Sequence, residues 1–189
     1  MLDEIPQWTP AIHLDDPPTM QEVQKAVKQL SSGKAPGADC IPAEIFKEGG
    51  IKLRERLLQL YSNIWENREV PQDFKDALII HIYKRKGDRA SCDNHRGISL
   101  LSVAGKILGR IVVNWLSSHV FRQDVIPESQ CGFHSGRGTA DMIFTARQTQ
   151  EKCREQQVDL YMIFIDLTKA FDTVHRNGFM EGSDANCLH

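Results

Sequence analysis

The chain has 189 residues, of which 41% are hydrophobic and 25% charged, the size and composition of one modest globular domain. Its longest apolar run, Leu160 to Ile165, is far too short to cross a bilayer, and there is no glycine- or proline-rich bias, so integral-membrane and disordered classes are excluded. The formal charge is only −2, but residues 81–110 hold seven basic against two acidic side chains, whereas residues 1–30 and 151–189 are each net −3.

That basic stretch can meet phosphates without a basic protein overall, and a solvated lysine-rich loop is the alternative reading. Asp3, Glu4, Asp15 and Asp16 occupy the region where a secretory signal would need a basic start and an apolar block. Cys40, Cys92, Cys131, Cys153 and Cys187 are odd in number and contain no C-x-x-C, which fits reduced thiols and a cytosolic or nuclear setting.

Residues 1–18, with four prolines, read as an irregular lead-in. Thr19 and Glu22 form a capping box, and Met20, Val23, Val27 and Leu30 follow on one helical face until Ser31-Ser32-Gly33. A second helical stretch opens at Pro42, breaks at Gly49-Gly50, resumes with Leu57, Leu58, Tyr61, Ile64 and Trp65, and ends at Pro71. Ala77–Tyr83 and His95–Leu101 are strand candidates. Between them Lys86-Gly87-Asp88 is turn chemistry, which predicts a hairpin with a basic tip at Lys84 to Arg89.

Val103, Ile107, Leu108, Ile111, Val112, Trp115, Leu116 and Val120 make the clearest amphipathic helix, with Trp115 and Leu116 expected to be better buried than the hairpin tip. A glycine-rich connection from Pro127 to Gly138 leads to a helix over about Thr139 to Gln156 with Met142, Ile143, Ala146 and Cys153 inward. Leu160 to Ile165 reads as a strand buried on both faces that delivers Asp166 at its end. Residues 177–189 lose all pattern and read as a divergent, disordered tail.

Asp166 could offer hard oxygens to Mg²⁺ or simply cap the turn that follows, with Asp172 six residues on. Cys92 with His95 and Cys131 with His134 raise a zinc reading, but the pairs lack finger-like spacing. Gly132 to Gly138 is glycine-rich without the lysine of a phosphate-cradling loop.

Four ordered segments carry a more specific signal: Ser32-Gly33-Lys34-Ala35-Pro36-Gly37-Ala38-Asp39; Tyr83 to Asp88 through Asn94-His95-Arg96-Gly97-Ile98-Ser99-Leu100-Leu101; Gln130-Cys131-Gly132-Phe133 with Gly136-Arg137; and Phe164-Ile165-Asp166-Leu167-Thr168-Lys169-Ala170-Phe171-Asp172. Together they resemble the N-terminal part of the reverse transcriptase of non-LTR (LINE-type) retrotransposons, over about residues 18–176. The resemblance implies an α+β, incomplete right-hand polymerase domain at 19–176, with a fingers hairpin, packing helices and one buried palm strand.

It further implies that Lys84 and Arg96 hold the triphosphate of an incoming deoxynucleotide, where guanidinium and ammonium neutralise a polyanion. Asp166, with the carbonyl of Leu167, would bind catalytic Mg²⁺, and Phe171 would be the wall that excludes a ribose 2′-hydroxyl, its alternative being an ordinary core phenylalanine. Gln130, Gly132, Phe133 and Arg137 would face nucleic acid, and the implied partners are an RNA template, a DNA primer and a deoxynucleoside triphosphate. Cys40, His95, His134 and Gly138 depart from residues common at those positions in the family. The family's paired aspartates lie beyond these segments, so the expected outcome is a polymerase fragment inactive by itself. The alternatives are a non-catalytic nucleic-acid-binding module or a truncated remnant without function.

Overall fold

The first helix begins where its backbone amides find side-chain acceptors. In the computed structural model, which describes residues 15–122, 126–134, 136–167 and 173–175, the Glu22 amide donates to Thr19 Oγ1 at 3.4 Å and the Thr19 amide to Glu22 Oε2 at 2.8 Å. This reciprocal cap starts α1 (Met20–Lys28) and leaves Val23 and Val27 of the expected stripe, together with Ala26, at most 1% exposed, with Met20 and Leu30 half-buried. Gly33, at φ +68°, turns the chain after the helix, and its amide donates to Glu44 Oε1 at 2.7 Å. That bond holds the Glu44 carboxyl below its ordinary value.

The break at the paired glycines is real: α2 (Ala43–Glu48) stops, Gly50 takes φ +69°, and α3 (Gly50–Asn67) follows. A single extra turn, α4 (Gln72–Lys75), comes directly after Pro71 and was not foreseen. Strand β1 (Ala77–Tyr83) then pairs antiparallel with β2 (His95–Leu101), with Ala77 opposite Leu101 and Tyr83 opposite His95. Ser102 accepts from the Gly105 amide at 3.1 Å and so caps α5 (Val103–Arg122), the longest helix. The expected hairpin and both of its ends are present.

The described residues form two compact units, 15–118 and 119–175. The core of the first comes from α1, α2, α3 and α5, where Val23, Val27, Tyr61, Ile107 and Ile111 are fully buried. Burial of each such side chain contributes about 1.5–3 kcal/mol. The Tyr61 hydroxyl, its pKa pushed up by burial, donates to the Ala104 carbonyl at 2.9 Å and locks α3 to α5. Trp115 stacks edge-on against Trp65 with ring centroids 5.2 Å apart and donates its indole N–H to Glu22. Burial pushes the Glu22 carboxyl up, but its bonds from Thr19 and Trp115, with Lys25 nearby, outweigh that and hold it below the ordinary value.

The motif Ser32 to Asp39 has a packing role. A Cβ on Gly37 would stand 2.7 Å from the Leu101 carbonyl carbon and the Ser102 nitrogen, so only glycine lets this loop press against the junction of β2 and α5. The loop is anchored again by Lys47 Nζ donating to Ser32 Oγ at 2.7 Å.

In the second unit, α6 (Thr139–Glu155) starts with the Gly138 amide donating to Asp141 Oδ2 at 2.7 Å and ends with Gln157 at φ 54°. Its boundaries match expectation; its orientation does not. Met142 and Ile143, expected inward, are 51% and 56% exposed. A larger departure concerns Leu160 to Ile165. Residues 158–167 form neither helix nor strand, and Ile163, Phe164 and Ile165 are more than 80% exposed. A strand requires a ladder partner, and the only sheet among the described residues is the β1–β2 pair. Trp115 is half-buried and so better buried than the exposed hairpin tip, as expected, while Leu116 is 40% exposed. The architecture is a mixed one, helices with a small two-stranded sheet, and no helix among the described residues is long and apolar enough to cross a membrane.

Candidate functional site

Alternation along the hairpin sorts its side chains into two faces. Leu78, Ile80 and Ile82 share one face with Arg96, Ile98 and Leu100; His81 and Tyr83 share the other with His95 and Gly97. Arg96 lies opposite Ile82, and Lys84 lies two residues beyond Ile82. The Lys84 amide donates to the Asn94 carbonyl at 2.8 Å and continues the ladder one step, so Lys84 and Arg96 are neighbours where the strands enter the loop. Both are exposed.

The connection from 84 to 94 is ordered by its own polar groups. Lys84 Nζ donates to the Asp93 carbonyl at 2.7 Å, Asn94 Nδ2 to the Asp88 carbonyl at 2.7 Å, and the Ala90 amide to Asp88 Oδ1 at 2.9 Å. Gly87 sits at φ +76° with its α-carbon face against the Asn94 side chain, and the Tyr83 hydroxyl donates to the Gly87 carbonyl. A loop built this way presents Lys84, Arg85, Lys86 and Arg89 together without needing to be ordered by a ligand. On the opposite face, His81, Tyr83 and His95 border an open depression of about 710 Å³ with Arg89 and Cys92 at its edge. Periodicity marked these residues as strand only, and the cross-strand register was the missing signal.

The other expected site residues lie in the second unit. Gln130 and Gly132 form one tight turn, with Gln130 Nε2 donating to the Gly132 carbonyl at 3.1 Å. Phe133 follows at φ 58° and is 93% exposed, and Arg137 is ion-paired with Glu128. Cys131 is buried beside them, and His134 meets the Phe121 ring edge-on. Asp166 and Leu167 are exposed at the end of the 158–167 segment, not at the end of a strand. Phe171 and Asp172 lie outside the described residues.

Among the described residues the donor set does not amount to a magnesium site. The described residues contain no group of three or more His, Cys, Asp and Glu side chains placed to hold a metal ion, and Asp166 alone supplies one carboxylate. The Cys-x-x-His pairs form no such group either: the His95 Nδ1 is within 3.0 Å of the Ser91 carbonyl and its ring packs against His81 and Tyr83.

Comparison with known proteins matches these elements to one family. The family described as reverse transcriptase (RNA-dependent DNA polymerase) matches residues 82–184. The chain is 27% identical over 164 residues to the probable RNA-directed DNA polymerase from transposon BS of Drosophila melanogaster, covering 87% of this chain and 18% of that protein. It is 26% identical over 162 residues to the RNA-directed DNA polymerase from mobile element jockey of the same species, covering 86% and 18%. A putative 115 kDa protein in the type-1 retrotransposable element R1DM is 31% identical over 171 residues, with 87% and 16% covered. The chain thus spans less than a fifth of the length of these relatives. With a family match over more than half of its residues and relatives from jockey- and R1-type elements, the chain belongs to the reverse transcriptases of non-LTR retrotransposons.

Proposed function

We propose that this chain is the substrate-holding front of a LINE-type RNA-directed DNA polymerase, with the β1–β2 hairpin as its fingers and Lys84 and Arg96 as the cations that meet a deoxynucleoside triphosphate. The observation that carries this reading is the register: it sets the two cations at neighbouring positions at the base of a self-ordered basic loop. Arg96 offers a planar fork to two phosphate oxygens, and Lys84 is a point charge whose position is set by the Asp93 carbonyl. Gln130, Gly132, Phe133 and Arg137 are proposed to face template or primer, and Phe171 to exclude the ribose 2′-hydroxyl.

Asp166 and the Leu167 carbonyl are proposed as ligands for Mg²⁺ in a complete palm. In-line phosphoryl transfer with two metals needs several carboxylate oxygens in one place, and this chain's described residues do not bring them together. The isolated 189-residue chain is therefore expected to bind nucleotide and nucleic acid without extending a primer, the behaviour of a non-catalytic binding module.

Two measurements on the purified chain test the reading. Incubation with a primed RNA template, deoxynucleotides and Mg²⁺ or Mn²⁺ should give no extension; extension abolished by Asp166→Ala would show that carboxylates do converge. Titration with a fluorescent deoxynucleoside triphosphate should show binding that weakens as salt rises, and Lys84→Ala with Arg96→Ala should remove most of it. Unchanged affinity in the double variant would remove the physical basis of the fingers assignment.

A further inference from the structure

The β1–β2 ladder uses only half of the backbone groups of β1. In an antiparallel pair, residues that exchange hydrogen bonds with the partner alternate with residues whose amide and carbonyl point outward. Lys84 bonds Asn94, the residue opposite it when the β1–β2 register is continued by one step. The even positions of β1 therefore face β2, and Ala77, Ile79, His81 and Tyr83 turn their backbone groups away from it. Among the described residues the sheet has no third strand, and no backbone group of another element bonds these four.

Edge strands are commonly blunted by charged side chains, proline or a bulge. Ala77 to Tyr83 has none of these: it contains no Asp, Glu, Lys, Arg or Pro, and its register with β2 is unbroken. Leu78, Ile79, Ile80 and Ile82 are 42–68% exposed. A two-stranded hairpin is marginal by itself, so one with this much open apolar surface gains from further strands.

The flanking charges indicate which strand fits. Asp76 and Lys84 stand four residues from Ile80 on either side. Laid antiparallel on its own copy about Ile80, β1 sets Asp76 opposite Lys84 at both ends, Leu78 opposite Ile82, and Ile80 opposite Ile80. Ala77 then meets Tyr83 and Ile79 meets His81, so outward-pointing groups meet outward-pointing groups. A register moved by one residue would set them against groups that β2 already uses. Asp76 is extended, at φ −75° and ψ 137°, and both charged residues are exposed. Asp76 accepts from Gln72 Nε2 and Lys84 donates to the Asp93 carbonyl, which leaves each with capacity for a further partner. The next residues out, Lys75 and Arg85, leave the line of the strand: Lys75 belongs to α4, and Arg85 turns at φ 58°.

We propose that the outer edge of β1 is a self-association site, at which a second copy of this chain adds its own β1 antiparallel about Ile80 and joins the two hairpins into one continuous sheet. Opposite charges at both ends select this partner and this register. One short ladder is a small interface compared with the roughly 1,200–2,000 Å² of a stable complex, so the dimer is weak and reversible.

Sedimentation velocity of the whole chain over a concentration series should show a reversible monomer–dimer equilibrium. Ile80→Lys sets like charges face to face at the two-fold axis and should weaken the dimer by about tenfold or more. Ile98→Lys, on the same face with the same 42% exposure but on β2, should leave it within about twofold of the parent. Asp76→Lys or Lys84→Asp alone should weaken it by about fivefold, and the two together should restore it, because the ion pairs re-form with their signs reversed. A variant that had merely lost its fold would not recover in this way. Amide hydrogen exchange reads the same edge: the Ile79 and His81 amides should gain protection as concentration rises, while those of Ile80 and Ile82 are protected throughout.

A chain that stays monomeric up to about 1 mM overturns the inference. So does a loss in Ile98→Lys equal to that in Ile80→Lys, which would mean that the sheets stack by their faces, or a double charge exchange that fails to recover. Protection of Ile79 and His81 that does not depend on concentration would place another segment on the edge and overturn it as well.

Discussion

Two apolar runs in this chain have nearly the same composition and opposite fates. Ala77 to Tyr83 and Leu160 to Ile165 are both rich in isoleucine and aromatic residues, both read as strands, and both leave large apolar side chains exposed. Only the first forms a ladder, because His95 to Leu101 supplies every backbone partner and passes straight into the first turn of α5, whose Val103, Ile107 and Ile111 are buried in the core. The second run has no such partner among the described residues and no adjoining element that is buried. Apolar composition makes a segment able to be a strand; attachment to an element already packed decides whether it becomes one.

If that attachment matters, the largest effect should come from weakening the core beside the hairpin. Ile107→Ala removes a fully buried side chain from α5 and should cost about 2–5 kcal/mol in urea denaturation. The matching change in the other run, Ile163→Ala, removes a side chain 86% exposed and should shift stability by less than about 0.5 kcal/mol. Equal costs at the two positions would mean that the 158–167 segment is packed in solution and that the contrast is wrong.

A smaller effect should follow at the junction itself. Gly37→Ala places a Cβ against the Leu101 and Ser102 backbone, and the resulting shift should cost about 1–3 kcal/mol. Amide hydrogen exchange gives the sharper readout: protection should fall across β1 and β2, while the amides of 160–165 exchange as before. Loss of global stability with unchanged hairpin protection would break the link between the junction and the ladder.

The smallest effect is electrostatic. Glu22 holds α1 to α5 through Trp115, and its carboxyl titrates below the ordinary value of 4.5. A carboxyl whose pKa is depressed in the folded state stabilises that state fully above the unfolded value and loses the contribution as pH falls through the folded one. Lowering the pH from 5 to 3 should therefore destabilise the parent more than Glu22→Gln. Because the group is largely solvent-screened, the difference should stay below about 1 kcal/mol. Parallel pH profiles in thermal melts would leave Glu22 with no part in joining the helices.

Most element ends were legible in the residues because they are set by chemistry within a few positions of the chain. Thr19 and Glu22 cap each other, Gly50 supplies a positive φ, and Gly87 with Asp88 turns the chain between strands whose limits match the observed ones. The neighbouring positions of Lys84 and Arg96 were legible in the same way once the hairpin was recognised. Four ordered motifs sufficed for the family.

What the residues alone did not determine is which apolar surface finds a partner. Met142 and Ile143 lie on a helix that forms as expected and still face outward, and Leu160 to Ile165 carries strand composition without becoming a strand. The same holds for Gly37, whose role depends on the Leu101 and Ser102 backbone brought against it from positions tens of residues away. Caps and turns are satisfied by atoms the local chain itself supplies, whereas burial, ladders and charge clusters require a second surface, and only the tertiary structure provides it.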